Sequence, residues 1–268
     1  MPIIIKSHDE IEIMHESGRI VAEVLDLLAA EVRPGLIVKK LDTIVRDEYR
    51  RRNVTPTFLG YQGYPAHVCV SVNDEIVHGI PGERALQEGD IVSIDLGATH
   101  RGFVADSALT VGAGRIGPKE QQLIDVTYQS LWEGIRAARP GARLGEVSHA
   151  IQTYAESQGY AVVREYVGHG VGREMHEDPQ VPNFGPTDRG PVLRKGMVLA
   201  FEPMLTAGDW RTKKHDDQWT VSTLDGSLSA HFEHTIAVTD GDPVVLTLRS
   251  DEDPLAVRPI ATAVEGRG

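Results

Sequence analysis

Apolar residues recur every three or four positions in four stretches of the chain, and each stretch predicts an amphipathic helix. The predicted helices cover residues 9–31, 36–52, 119–138 and 144–158. Pro-Gly follows the first and the third of them, at Pro34-Gly35 and Pro140-Gly141, where a helix is expected to stop. The pattern therefore predicts two pairs of helices, one pair in each half of the chain.

Short runs of β-branched residues predict strands between and after the helices. Such runs cover residues 68–72, 161–167 and 198–201, and another surrounds Glu233 in HFEHTIAV. Asn73-Asp74 predicts a turn that leads to Val77-His78-Gly79. Helices and strands in this order predict a fold of the α+β class.

Residues 89–110 predict a β-hairpin with an acidic residue in each strand. Residues 91–95 form the first predicted strand, 97–102 the turn and 103–110 the second strand. A register in which position i faces position 201 − i would place Asp95 opposite Asp106, with Cβ atoms ~5 Å apart. Two carboxylates that close need a cation between them or a proton on one of them. The hairpin alone also allows two ordinary turn or surface aspartates, and both interpretations stay open at this point.

The two halves of the sequence repeat each other at an offset of about 106 residues. Arg33-Pro34-Gly35 matches Arg139-Pro140-Gly141, and GDIVSID from Gly89 matches GMVLAFE from Gly196. We therefore expect residues 1–268 to form a single domain with antiparallel sheet inside and helices outside. Its halves would cover about 9–112 and 118–248, followed by a C-terminal tail at 249–268. A ligand site is expected between the halves.

Composition narrows the possible functions of the chain. The net charge is −12, from 39 acidic and 27 basic residues, and no basic tract offsets it. Direct, sequence-independent nucleic-acid binding is therefore not expected. The apolar run near the N-terminus is too short for a signal peptide or a membrane span, so a cytoplasmic protein without membrane association is expected. Cys69 is the single cysteine and leaves no intramolecular disulfide.

Three residues of the second half could complete a metal site with the hairpin aspartates. Glu202 ends an apolar strand, Glu233 lies within one, and His169 lies in the glycine-rich GHGVG. A buried Glu commonly pairs with Arg, and a His in such a loop is commonly exposed, so each has an ordinary alternative. Together with the hairpin, however, four carboxylates and one imidazole would neutralise two divalent cations.

Spaced motifs over nearly the whole chain resemble the methionine aminopeptidases of type I, which have the pita-bread fold. The motifs are VHGIPG, SIDLG, FVADSA, GHGVGREMHEDP, FEPM and SLSAHFEHT. The resemblance implies two divalent metal ions (Mn, Fe, Co or Zn) and the ligands Asp95, Asp106, His169, Glu202 and Glu233. It implies His78, His176 and Glu202 as catalytic residues. It implies a substrate pocket lined by Phe58, Tyr61, Tyr64, Cys69, His78, Met175, His176 and Trp219, and a monovalent cation near Asn73, Glu75 and Ser229.

The implied activity is hydrolytic removal of the initiator methionine from nascent chains with a small second residue, by a cytoplasmic monomer acting at the ribosome. Phe58, Gln62 and Met175 differ from the residues common in the family, so the shape of the pocket is less defined than the ligand set. Two alternatives remain. A Xaa-Pro peptidase of the same fold usually carries an extra N-terminal domain, and a non-catalytic binding protein of this fold would have lost metal ligands.

Overall fold

The computed structural model describes residues 2–252, and the part of the predicted tail from residue 253 onward lies outside the described residues. Within them, four α-helices are present: α1 (His8–Glu31), α2 (Lys39–Arg52), α3 (Pro118–Ala137) and α4 (Leu144–Ser157). They agree with the four predicted helices to within three residues at each end. None of these helices is both long enough and apolar enough to cross a membrane.

Helix α1 begins at a capping box and packs its apolar face against the sheet. The Glu10 N–H donates to Ser7 Oγ (3.3 Å), and the Ser7 N–H donates to Glu10 Oε2 (2.9 Å), so two free helix-end donors are satisfied. Gly18 lets a later segment cross the helix closely, because a Cβ there would lie 2.1 Å from the Leu246 carbonyl oxygen. The helix is thereby fixed at its start and along its buried face.

A nine-stranded antiparallel sheet forms the centre of the structure. Its strand order is β1-β4-β5-β14-β9-β7-β8, with β2 also paired to β4 and β15 to β14. These strands are β1 (Thr55–Pro56), β2 (Cys69–Val72), β4 (Ile91–His100), β5 (Phe103–Gly112), β7 (Gly168–Gly170), β8 (Glu177–Val181), β9 (Val198–Phe201), β14 (Glu233–Ala237) and β15 (Val244–Val245). The pairing of β5 with β14 joins strands from the two halves of the chain.

Two small antiparallel sheets of three strands each accompany the large one. The first has the order β13-β10-β6, and the second β11-β12-β3. Their strands are β3 (Glu75–Val77), β6 (Ala161–Val162), β10 (Met204–Thr206), β11 (Thr212–Lys214), β12 (Val221–Thr223) and β13 (Ser229–His231). The second sheet pairs β3, which immediately precedes His78, with strands from the C-terminal half.

The predicted hairpin is present, but its predicted register and turn are wrong. Asp95 faces Ala108, and Asp106 faces Gly97, which is a shift of two residues from the prediction. The strands continue to His100 and Phe103, and Arg101-Gly102 alone make the turn, both with positive φ (49° and 81°). Such a two-residue turn matches the twist of its strands. Because side chains alternate, a two-residue shift keeps both aspartates on the same face.

The predicted strand over residues 161–167 is also wrong in extent. Only Ala161–Val162 is a strand, paired with β10. The chain then leaves the sheet edge, and the Arg164 guanidinium lies over the Trp210 ring, 4.7 Å from its centroid. Strand pairing resumes only at β7. The run of β-branched residues therefore predicted that a strand is present here, but it did not predict where the pairing with β10 ends.

Equivalent hydrogen bonds occur in the two halves of the chain. The Gly35 N–H donates to the Leu86 carbonyl (2.8 Å), and the Gly141 N–H donates to the Leu193 carbonyl (2.9 Å). Both glycines have positive φ, 84° and 90°, which a residue with a Cβ rarely adopts. This repetition supports the predicted division into two halves, while the single catalytic domain over 1–268 stays a prediction.

Candidate active site

Five adjacent strands of the large sheet each bring one predicted metal ligand to the same face. In sheet order they are Asp95 (β4), Asp106 (β5), Glu233 (β14), Glu202 (directly after β9) and His169 (β7). Asp95 and Glu233 both pair with Ala108, and Asp106 lies two residues from it. Residues that pair directly, or lie two apart on one strand, point to the same side of a sheet. The sheet thus arranges the five side chains in one row.

The side chains of this row lie close together and away from solvent. His169 Nε2 is 3.6 Å from Glu202 Oε1 and 4.0 Å from Asp106 Oδ2. Possible ligand atoms of Asp106, His169 and Glu233 all lie within 4.8 Å of one another, and these three residues are buried. Such spacing suits ligands that share a cation.

The charges of these carboxylates are poorly compensated by the surrounding protein. Asp95 Oδ1, Asp106 Oδ1 and Glu233 Oε1 are buried without a hydrogen-bond partner. Burial raises the pKa of Asp106 to about 7. Burial and neighbouring carboxylates also raise the pKa values of Asp95, Glu202 and Glu233. Bare oxygens and raised pKa values at one point are the arrangement that a divalent cation stabilises, so the residues fit the metal that the sequence implies.

His169 is held so that one ring nitrogen faces the carboxylates. Its Nδ1 lies 2.9 Å from the Gly170 carbonyl oxygen, an acceptor, so Nδ1 carries the proton. Burial, followed by the nearby His176, lowers the pKa of His169 to about 3. The neutral ring therefore presents the Nε2 lone pair to the row, which is the form in which imidazole binds metals.

A cavity of about 240 Å³ opens beside the row of ligands. All thirteen residues predicted as ligands, catalytic residues or substrate contacts line it: Phe58, Tyr61, Tyr64, Cys69, His78, Asp95, Asp106, His169, Met175, His176, Glu202, Trp219 and Glu233. Two further residues line the cavity: Gln62, which was named from the sequence only as a difference from the family, and Val77, which the sequence did not connect with the site. Val77 directly precedes His78, and the sequence signal for it was only its position beside that histidine.

The far wall of the cavity is aromatic and sulfur-bearing. The Tyr64 ring packs edge to face against Phe58 and Trp219, with centroids 6.4 Å and 5.1 Å away. Cys69 and Met175 are buried in the same cluster. The Tyr64 hydroxyl donates to backbone carbonyls of Val68 and Gly79 and so keeps its polar end away from the cavity. This wall can receive an apolar side chain and offers good contacts to a thioether.

His78 and His176 line the cavity without belonging to the buried Asp106–His169–Glu233 group. The His176 ring lies 4.3 Å from the His169 ring, centroid to centroid. His78 has a positive φ of 61°, and burial, with smaller effects of His176 and Lys214, lowers its pKa to about 4. Burial likewise lowers the pKa of His176. Both are neutral at physiological pH and can each present one N–H to a substrate.

Of the predicted monovalent-cation residues, Asn73 lies in the turn before β3, Glu75 begins β3 and Ser229 begins β13. The Ser229 N–H donates to the Asn73 carbonyl (2.9 Å), so these two residues are neighbours. Glu75 Oε2 accepts the Val72 N–H (2.8 Å). Burial raises the pKa of Glu75. A monovalent cation at this place stays a prediction.

The chain belongs to metallopeptidase family M24, whose model matches residues 12–240. The sequence is 50% identical to methionine aminopeptidase 1 of Bacillus subtilis over 245 residues, which covers 91% of this chain and 99% of the relative. The crystal structure of methionine aminopeptidase from Thermotoga maritima superposes with a TM-score of 0.90 at 47% identity, covering 92% of this chain and 99% of that one. Within the family the chain groups with the methionine aminopeptidases.

A prolidase from Pyrococcus horikoshii OT3 shares the fold with a TM-score of 0.73, at 23% identity, over 93% of this chain and 65% of that one. The predicted α+β, pita-bread fold is thereby confirmed, as is the predicted family. Family M24 consists of metallopeptidases, which agrees with the buried group that can hold a divalent metal ion. The chain is a hydrolase of the aminopeptidase type.

Proposed function

We propose that this enzyme removes the N-terminal methionine from peptides and newly made proteins whose second residue is small. The observation that carries the proposal is that one cavity combines a row of predicted metal-ligand side chains with an aromatic, sulfur-bearing wall. A methionine side chain would lie against that wall, and the peptide bond that follows it would then lie next to the carboxylates and histidines. The likeness to methionine aminopeptidases supports the same assignment.

Two divalent cations would be held by Asp95, Asp106, His169, Glu202 and Glu233, since four carboxylates match their four positive charges. When bound, such ions lower the pKa of a water molecule and polarise a carbonyl group. A shell rich in oxygen with a single imidazole suits manganese, iron or cobalt, and zinc also accepts these ligands. A monovalent cation near Asn73, Glu75 and Ser229 is part of the same proposal.

Three side chains of the cavity have separate roles in the proposed reaction. Glu202 takes a proton from the attacking water and returns it to the leaving amine. His176 donates a hydrogen bond to the carbonyl oxygen of the scissile bond as negative charge develops there. His78 contacts the scissile nitrogen. The bound methionine is oriented by Phe58, Tyr61, Tyr64, Cys69, Met175 and Trp219.

The proposed setting is the cytoplasm, where the enzyme would act as a monomer on nascent chains at the ribosome. The high negative charge of the chain agrees with a peptide substrate and with no direct binding of nucleic acid.

The test is peptide hydrolysis by purified protein loaded with manganese or cobalt. Met-Ala-Ser should be cleaved after methionine, and chelation should abolish cleavage. Preferential cleavage of Xaa-Pro peptides would assign the chain to the proline-specific peptidases of this fold. Stoichiometric metal without hydrolysis of either peptide class would leave a binding protein and overturn the proposal.

A further inference from the structure

The Tyr61 hydroxyl lies 2.7 Å from His176 Nδ1, and the two rings are 5.3 Å apart, centroid to centroid. We infer that Tyr61 is a positioning residue: its hydroxyl donates to Nδ1 and so holds His176 in the tautomer that carries its proton on Nε2. This inference rests on the proposed function, in which His176 donates a hydrogen bond to the substrate carbonyl oxygen.

The tautomer matters because a neutral imidazole has one N–H and one lone pair. If Nδ1 accepts a hydrogen bond from Tyr61, Nε2 must carry the proton and can stabilise an oxygen that becomes negative. If Nδ1 instead donates to the Tyr61 oxygen, Nε2 presents a lone pair, which repels that oxygen. A partner on one ring nitrogen therefore decides whether the other can serve as a donor.

Backbone hydrogen bonds hold the turn that carries Tyr61. Tyr61–Gly63 is a single 3-10 turn between Gly60, at φ 82°, and Tyr64. The Gly60 N–H donates to the Tyr64 carbonyl (2.8 Å), and the Tyr61 N–H donates to the Phe58 carbonyl (2.9 Å). These backbone hydrogen bonds fix the position of the Tyr61 Cα, from which the side chain reaches His176 Nδ1.

Tyr61 differs from Tyr64, which also lines the cavity, and from Tyr166, which packs against His78, in what its hydroxyl reaches. The Tyr64 hydroxyl donates to backbone carbonyls, and the Tyr166 ring touches His78 with centroids 5.7 Å apart. Among the hydroxyls of these three residues, Tyr61 alone has a hydrogen bond to a histidine ring. The pair joins segments separated by 115 residues, so local sequence could not reveal it.

The first experiment compares Tyr61→Phe with the wild-type enzyme, both loaded with manganese, on Met-Ala-Ser. Loss of the hydroxyl should lower kcat roughly ten- to a hundredfold, as is usual for groups that orient a reacting side chain, with KM changed less than about twofold. Tyr61→Ala, which also removes the ring, should raise KM in addition. Tyr154→Phe, on α4 and outside the cavity lining, is the matched control and should keep wild-type kcat and KM. Unchanged kcat in Tyr61→Phe would make Tyr61 a wall of the pocket and overturn the inference.

The second experiment observes the tautomer without turnover. Nitrogen chemical shifts of ¹⁵N-histidine in the full-length, zinc-loaded protein distinguish a protonated Nδ1 from a protonated Nε2. The wild-type His176 should show the proton on Nε2, and Tyr61→Phe should show a mixture of the two forms. A proton on Nδ1 in the wild type would refute the inference. Wild-type protein that does not cleave Met-Ala-Ser would instead refute the proposed function, so the two failures are distinct.

Discussion

Lys6 and Glu177 form a buried ion pair, with Lys6 Nζ 2.5 Å from Glu177 Oε2, although 171 residues separate them in the chain. The other carboxylate oxygen of Glu177 accepts the N–H of Arg173 (2.9 Å) and lies 3.4 Å from the N of Glu174. Glu177 directly follows His176, so this carboxylate folds the loop that carries His176 back upon itself. The N-terminal segment therefore helps to hold a wall of the active site.

Lys6→Met should destabilise the protein by ~3 kcal/mol, because it leaves a buried carboxylate without its cation. This value lies at the lower end of the free-energy cost of breaking a buried ion pair, because backbone N–H groups still donate to Glu177. Urea unfolding of the metal-loaded protein measures the loss. Adding Glu177→Gln to Lys6→Met should restore part of it, because the uncompensated charge is then gone. Lys195→Met removes an exposed partner of Asp240 and should change stability by less than about 1 kcal/mol. Equal losses in both lysine variants would contradict this account.

Asp106→Asn should lower metal affinity and activity while the fold survives, because Asp106 lies between Asp95 and Glu233 in the row and near His169 Nε2. Metal content after gel filtration, measured by plasma mass spectrometry, and circular dichroism are the two readouts. Asp47→Asn, at an exposed position on α2, should leave metal content unchanged. Full metal stoichiometry in Asp106→Asn would remove this residue from the ligand set.

Chelated protein should lose stability as pH rises from about 6.5 to about 8, a range that spans the folded pKa of Asp106. The folded pKa of Asp106 is raised to about 7, and those of Asp95, Glu202 and Glu233 are raised as well. A carboxyl with a raised folded pKa binds its proton more tightly in the folded state, so its contribution to stability disappears as pH rises through that pKa. Metal-loaded protein should show a smaller loss, since cations favour the ionised carboxylates. Thermal melting at the two pH values tests this.

Two other effects on this pH dependence can be separated. Buried His78, His169 and His231 have lowered pKa values, and they reduce stability only as pH falls below their unfolded value of about 6.5, outside the chosen range. The net charge of −12 also adds repulsion with rising pH. Asp95→Asn removes one local charge and should restore much of the loss in chelated protein. No effect of Asp95→Asn would mean that the carboxylates do not share one site.

Phe58→Ala should lower kcat/KM for Met-Ala-Ser roughly ten- to a hundredfold through a higher KM. The Phe58 ring is buried in the aromatic wall, and its removal costs ~1.5–3 kcal/mol of apolar contact. The widened pocket should accept bulkier first residues, so the ratio of kcat/KM for Leu-Ala-Ser to that for Met-Ala-Ser should rise. Leu59→Ala, at an exposed neighbouring position, is the control and should not change this ratio. A ratio unchanged in Phe58→Ala would remove Phe58 from the specificity pocket.

The sequence predicted the helices well because they depend on local patterns of apolar residues. It also identified five side chains that the sheet brings to one face, and their role as metal ligands stays a prediction. The hairpin shows where such reasoning stops. The predicted register differs from the observed one by two residues. The turn at Arg101-Gly102 needs two positive φ values, which these residue types alone do not indicate. Asp95 and Asp106 nevertheless lie on one face, as expected, because side chains alternate along a strand and a shift of two residues keeps them on the same side.

Long-range contacts were outside the reach of the sequence. Neither the Lys6–Glu177 pair nor the Tyr61–His176 hydrogen bond leaves a local signal, because each joins segments more than 100 residues apart. The strand predicted over 161–167 failed for a related reason: where pairing ends depends on the neighbouring strand β10, which lies far along the chain.

The row of predicted ligands on five neighbouring strands would link metal affinity to completion of the fold. Asp95 and Asp106 belong to one hairpin, but Glu233 reaches them only when β14 has docked on β5. A chain emerging during synthesis would therefore have an incomplete metal site until its last third had joined the sheet. Tight metal binding would then require that both halves have assembled. The free energy of metal binding would therefore stabilise only the assembled molecule. Bound metal would therefore stabilise the completed fold. Fragments and misfolded copies would lack the complete site and would be inactive as peptidases.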